Sequence, residues 1–152
     1  MHSAWVARYA RIALGVAFLS AVSSRFGWGG TFAGFESYTA EVLSFMPAST
    51  IPFFARAATV FELGFGIALV LGIGLRWVTF GAAGLLLVFA VSMAISSGIK
   101  EPLDYSVFSA SACALLLAQQ EHRKKSAVVG QLGREHNVVA ITADADRRRA
   151  VG

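Results

Sequence analysis

The chain has 152 residues, of which 56% are hydrophobic and only 14% charged, with a mean hydropathy of +0.63. Soluble domains carry nearer a quarter charged residues, so the composition indicates a membrane protein. The net charge of +4 comes largely from basic runs after the last apolar segment, where such residues usually contact anionic lipid, and this excludes nucleic acid as the expected partner.

Four apolar segments organise the chain. A helix needs roughly 20 residues to cross a hydrocarbon core of about 30 Å, and the third segment reaches this length without a charged residue. We predict an all-α fold, an integral membrane four-helix up-down bundle over residues 1–120, followed by a basic, mostly mobile, polar cytoplasmic tail over residues 121–152. The predicted spans are residues 5–24, 53–75, 77–99 and 103–119.

The first segment allows two interpretations. Arg8 and Arg11 before "IALGVAFLSAVSS" resemble the basic and apolar regions of a signal peptide, whose cleavage would leave three spans. Retention leaves four spans with both ends on one side, and we favour it. The positive-inside rule then makes both termini cytoplasmic, because the basic residues concentrated on that side are Arg8, Arg11, Arg76 and the run at 123–125.

A long connection separates the first two segments. It begins with the glycine-rich stretch "RFGWGGTFAG", which we expect to be irregular. The following "FESYTAEVLSFM" places Phe35, Tyr38, Val42 and Phe45 on one helical face, the pattern of a short amphipathic helix on the outer surface. Such a helix is either a cap on the bundle or a lid over a site, and we favour the cap.

Glu62 is the carboxylate that the second segment carries near its middle. A charge at such a depth costs roughly 2.5–3.5 kcal/mol unless it is paired or protonated. We consider an ion pair with Arg11 on the first segment, a neutral acid bonded to a hydroxyl, and a proton or quinone site. We favour the pair between Arg11 and Glu62.

Polar and aromatic residues also gather near the predicted outer face. Aromatic rings, arginines and hydroxyls at one depth suit a quinone-like ring or a small anion. The structural alternative is that Asp104 is an acid at the start of the fourth helix, satisfied by Arg25, with Tyr105 an interfacial aromatic residue. The candidate outer-face pocket consists of Arg25, Trp28, Arg56, Asp104, Tyr105 and Ser109.

Three stretches together resemble the DoxX family of small bacterial membrane proteins: "ARIALGVAFLSAVSSRFGWGG", "ELGFGIALVLGIGLRW" and "GIKEPLDYSVFSASACALLLA". The resemblance covers roughly residues 5–119. It implies a four-helix bundle in the bacterial inner membrane. Some relatives are described as membrane subunits or partners of oxidoreductases, including thiosulfate:quinone oxidoreductase. The resemblance brings no set of catalytic residues, so the catalytic residues are unknown and enzymatic activity is left open.

Three functions compete at this stage. The chain has one cysteine and its histidines lie outside the apolar runs, so we expect no metal site and no intrinsic redox cofactor. The first hypothesis is a membrane subunit or anchor of a redox complex that uses a quinone and soluble oxidoreductase partners. The others are a non-catalytic structural protein of the envelope and, least favoured, a small transporter. Membrane lipid is an expected partner in each case, and a homo-oligomer stays open.

Overall fold

The computed structural model describes the backbone of residues 2–27 and 29–151, and the side chains of residues 5–27, 29–123 and 126–134. These residues form helices with no strand among them, apart from an isolated bridge between Phe26 and Thr31. The predicted all-α fold is therefore confirmed. The helices are α1 (His2–Ser24), α2 (Phe32–Val42), α3 (Ile51–Leu71), α4 (Leu75–Ser96), α5 (Lys100–Asp104) and α6 (Val107–Val151), with one 3₁₀ turn (Ala48–Thr50) before α3.

In the described part of the chain, three helical stretches are long and apolar enough to cross a membrane: Trp5–Ser24, Ala48–Leu71 and Leu75–Ser96. They match the first three predicted segments within a few residues. Large apolar side chains such as Val60 and Val88 lie exposed along them, as expected where lipid replaces water around the protein. The chain is a multi-pass membrane protein.

The fourth predicted segment is interrupted. Pro102 and Asp104 belong to the short helix α5, not to the start of the fourth helix, and Ser106 adopts a φ of 55° before α6 begins at Val107. The uncharged part of α6, residues 107–120, rises only about 21 Å at about 1.5 Å per residue. The four-helix up-down arrangement therefore stays a prediction.

The chain divides into two compact units, Met1–Ala118 and Gln119–Gly152. The core of the first unit contains residues of α1, α3, α4 and α6, and Ser111 of α6 donates a 3.0 Å hydrogen bond to the Ala83 carbonyl of α4. The core residues are Ala7, Leu14, Phe18, Leu69, Ala82, Ala83, Ala114 and Leu117.

The second unit is helical through Val151, whereas we expected mostly mobile structure over residues 121–152. Within it, the Ser126 hydroxyl donates to the His122 carbonyl at 3.2 Å, a bond between successive turns. Residues such as Ala, Gln, Lys and Arg are good helix formers, so a polar sequence of this composition favours helix once the first turn exists. The mobility of this unit stays a prediction.

Helices α1 and α3 approach each other at a pair of glycines. A methyl group built on Gly15 would lie 3.0 Å from the Gly66 carbonyl oxygen and 2.9 Å from the Val70 side chain. One built on Gly66 would lie 2.9 Å from Leu19. Residue numbers rise along α1 as they fall along α3 in these contacts, so the two helices are antiparallel. Small residues at such a crossing let helix backbones pack closely in lipid.

The amphipathic segment predicted for residues 35–46 is helical only in its first part, since α2 begins earlier, at Phe32, and ends at Val42. The Thr31 hydroxyl caps its first turn by accepting a 3.1 Å hydrogen bond from the Gly34 amide. Gly27 and Gly29, which precede it, have φ values of 117° and 97°, an irregular backbone that glycine adopts without strain. The end of α2 is joined to α4 because the Ser96 hydroxyl donates to the Val42 carbonyl at 2.6 Å.

Candidate functional site: a buried ion pair beside an apolar cavity

A cavity of about 480 Å³ lies between α2, the segment that follows it, α3 and α4. Its lining is almost entirely apolar, with the side chains of Thr39 and Ser92 as the aliphatic hydroxyl groups. The amphipathic face predicted for α2 faces this cavity. Seven aromatic rings line it: Phe35, Tyr38, Phe45, Phe53, Phe54, Phe61 and Phe89.

An ion pair is buried next to this cavity. Nη2 of Arg25 lies 2.6 Å from Oε2 of Glu62, and the two residues are only 7% and 3% exposed. Arg25 follows the last residue of α1, and its amide donates to the Val22 carbonyl at 3.0 Å. The pair therefore joins the end of α1 to the middle of α3. Its burial means that each charge depends on the other for compensation.

Thr59 is the third member of this group. Nη1 of Arg25 donates to the Thr59 hydroxyl at 2.8 Å, and that hydroxyl donates to the Ala55 carbonyl at 2.8 Å. Thr59 and Glu62 are three residues apart on α3, which places both side chains on one helical face. One face of α3 thus supplies two acceptors to a single guanidinium.

Phe35 covers the guanidinium from the side of α2. Cζ of Arg25 lies 3.4 Å from the centroid of the Phe35 ring, well inside the range of about 6 Å over which a cation is attracted to an aromatic face. The same ring lines the cavity. Phe35 therefore contacts the ion pair and the cavity at once.

A second polar contact lies at Tyr38. Its hydroxyl donates a long 3.4 Å hydrogen bond to Oε1 of Glu101 in α5. Burial, reinforced by the charges of Glu101 and neighbouring groups, raises the pKa of Tyr38 to about 12. The phenol is therefore neutral at physiological pH and acts as a donor, which suits a polar group at the edge of an apolar cavity.

We expected Glu62 to pair with Arg11, but its partner in the structure is Arg25. Arg11 lies beside the end of α3, where a methyl group built on Gly72 would be 2.5 Å from Arg11 Nη1. Gly72 is ten residues beyond Glu62, a distance of about 15 Å along a helix. The antiparallel register of α1 and α3 therefore brings Arg25 to Glu62.

The six residues of the predicted outer-face pocket are not brought to one described cavity. Trp28 lies outside the described residues. Arg25 is paired with Glu62, and Asp104 forms an exposed ion pair with Lys100, four residues earlier, in place of the suggested contact with Arg25. Arg56, Tyr105 and Ser109 are exposed. None of the described residues among the six lines the large cavity, whose lining comes from other positions.

Sequence reasoning missed Thr59 and the aromatic face of α3. A signal for both was present in the chain. Thr59 precedes Glu62 by three residues, and Phe53, Phe54 and Phe61 recur at helical spacing on one side of the segment. The sequence did not show which other parts of the chain pack against that face of α3.

Part of the chain is similar to a known protein family. Residues 7–95, more than half of the chain, match the DoxX family model. No curated protein and no solved structure is significantly similar to the chain. With its membrane-capable helices, the chain thus belongs to the DoxX family of integral membrane proteins.

Proposed function

We propose that the protein is a membrane subunit or anchor of a quinone-linked redox complex, and that it binds a quinone in the cavity between α2, α3 and α4. The observation that carries this proposal is the cavity itself, about 480 Å³ in volume and lined by seven aromatic rings. Ligand sites usually measure about 300–1,000 Å³, with mostly apolar walls and a few polar groups.

The lining suits a flat ring with an apolar tail. Aromatic side chains pack against a planar ring in offset-stacked or edge-on geometry, and Phe53 and Phe54 meet edge-on in this wall, with centroids 5.6 Å apart. The hydroxyls of Tyr38, Thr39 and Ser92 belong to the lining. Hydroxyl groups supply the few hydrogen bonds that orient an otherwise apolar ligand. A bound quinone would supply the electron-carrying chemistry, and this chain would bind and orient it.

The proposed arrangement has four helices in the bacterial inner membrane with both termini cytoplasmic. Support for the fourth helix comes from α6, whose Ala114 and Leu117 belong to the core. The basic residues after residue 120 would then face anionic lipid and a soluble oxidoreductase partner on the cytoplasmic side.

Purification in a mild detergent, followed by solvent extraction and chromatography of the extract, tests the quinone proposal. We expect quinone to copurify at a constant ratio to protein. A variant with the cavity narrowed, Ala58→Phe, provides the control, since Ala58 lines the cavity and is buried. Quinone that is absent from the wild-type protein, or equally abundant in Ala58→Phe, would contradict the proposal.

A non-catalytic structural protein is the second candidate. The observation in its favour is that the Arg25–Glu62 pair joins α1 to α3 at 2.6 Å, which is a sufficient structural role for both charges. If this candidate is correct, the purified protein should contain no quinone. Deleting the protein should then change the cell envelope but leave respiratory activity unchanged.

A further inference from the structure

Phe35 separates a fixed positive charge from an apolar cavity. Its ring lies 3.4 Å from the Arg25 guanidinium carbon and also forms part of the cavity wall. Arg25 itself does not line the cavity. The half-buried Phe35 side chain therefore lies between the cavity and a buried cation.

Arg25 retains hydrogen-bonding capacity for a third partner. A guanidinium carries five N–H donors in a fixed plane. Among the described residues, its hydrogen-bond and ion-pair contacts go to two side chains, Thr59 through Nη1 and Glu62 through Nη2. Both acceptors lie on α3, so the guanidinium is held in place from that helix while α2 covers it.

We propose that Phe35 is a movable shutter and that Arg25 is the residue that selects the ligand. When the Phe35 ring turns aside, the guanidinium donates to an acceptor oxygen, such as a quinone carbonyl, on a flat ring molecule in the cavity. This inference rests on the proposed function, since it takes the cavity to be a ligand site. A hydrogen bond from a charged donor is stronger than a neutral one, and more so away from water, so a hydrocarbon of the same shape would gain nothing from it.

A matched pair of probes tests separately whether the cavity binds a ligand and whether Arg25 selects that ligand. Menadione and methylnaphthalene share a planar shape of two fused rings and a methyl group, but only menadione has carbonyl oxygens. Equilibrium dialysis of each compound against the full-length protein in detergent, with empty micelles subtracted, gives two dissociation constants. We expect the wild-type protein to bind menadione about tenfold more tightly, which is the value of one such hydrogen bond.

Three variants assign that preference to residues. The double variant Arg25→Met with Glu62→Met removes both charges together, so that neither is left buried without its partner. This variant should bind menadione and methylnaphthalene about equally, and its affinity for methylnaphthalene should be that of the wild-type protein. Phe35→Ala removes the shutter and should raise the preference. Phe89→Ala removes another ring of the lining that has no described contact with Arg25, and should weaken both compounds alike.

The outcomes are distinct. If neither compound binds the wild-type protein, the proposed quinone site and this inference both fail. If both bind without preference, or the preference survives in the double variant, the inference alone fails. Should the double variant not fold, the comparison of Phe35→Ala with Phe89→Ala decides, and equal preferences in those two variants would overturn the shutter.

Discussion

Glu62 is paired with Arg25 at 2.6 Å, while Arg11 lies beside Gly72 at the far end of α3. From the sequence we expected Arg11 to be the partner of that carboxylate, and Arg25 to lie at the outer face near Asp104. The antiparallel crossing of α1 and α3 decides between them, because Gly15 meets Gly66 and fixes the level of every other pair.

The first prediction concerns this pair. Arg25→Gln and Glu62→Gln should each destabilise the protein, because each leaves a buried charge without compensation. Broken buried pairs cost about 3–5 kcal/mol in soluble proteins, and we expect about 1–3 kcal/mol here, since the unfolded chain in lipid finds other partners. Thermal unfolding in detergent measures the loss.

The double variant Arg25→Gln with Glu62→Gln should recover part of that loss, as coupled residues do. Arg11→Gln combined with Glu62→Gln is the matched control, and its two effects should simply add. Strict additivity for the Arg25 combination would show that the pair contributes nothing.

The second prediction concerns the helix crossing. Gly15→Ala should destabilise the protein by about 1–3 kcal/mol, the usual cost of overpacking, because its methyl group would lie 2.9 Å from Val70 and 3.0 Å from the Gly66 carbonyl. Gly64→Ala is the control on α3, since a methyl group there meets nothing within 4 Å. That change should be neutral or slightly stabilising because alanine favours helix. Equal unfolding temperatures for the two variants would contradict a close crossing at Gly15.

The third prediction concerns pH. The pKa of Tyr38 is raised to about 12 by burial and then by Glu101, whereas a tyrosine in an unfolded chain ionises near about 10. As the pH rises from about 10 towards 12, the unfolded state loses a proton that the folded state keeps, so the stability falls across this window. Below it, the contribution is fully present.

Phenolate absorbance measures this titration directly. Subtracting the curve of Tyr38→Phe from that of the wild-type protein isolates Tyr38, whose midpoint should lie at about 12. Glu101→Gln removes the nearby charge and should lower the midpoint, although burial still keeps it raised. A Tyr38 midpoint at the value of a free tyrosine would be incompatible with the contact between Tyr38 and Glu101.

The fourth prediction concerns orientation. Single cysteines at Ser3, Ser37 and Ser126, in a Cys113→Ser background, report the side of the membrane on which each position lies. A membrane-impermeant thiol reagent applied to intact cells should label position 37 only, because the basic residues near the other two favour the cytoplasm. Labelling at position 126 would reverse the orientation.

The helical segments were accessible from the sequence because hydrophobic length and helical periodicity are local properties. Phe35, Tyr38 and Val42 were predicted correctly for this reason to share one face of α2. Phe45 lies beyond the end of that helix, and all four residues line the cavity. The buried position of Glu62 followed from its apolar neighbours in the same way.

The contacts between residues of different helices could not be predicted from the sequence, because they depend on the register of the helices. Depth along each segment suggested Arg11 for Glu62, yet the crossing at Gly15 and Gly66 shifts α1 by several turns relative to that estimate. The break at Ser106 was also missed. Its φ of 55° lies in a region that serine rarely adopts, so the amino-acid type gave no warning of it.

The crossing of α1 and α3 also bears on how the protein is assembled. Chains are made from the N-terminus, so α1 enters the lipid before its partner exists, with Arg25 just beyond its end. Glu62 arrives later, as part of α3, and an unpaired charge on that helix is costly to place in lipid. We therefore expect α1 to stay near the site of insertion until α3 emerges, so that Arg25 neutralises Glu62 as α3 enters the lipid.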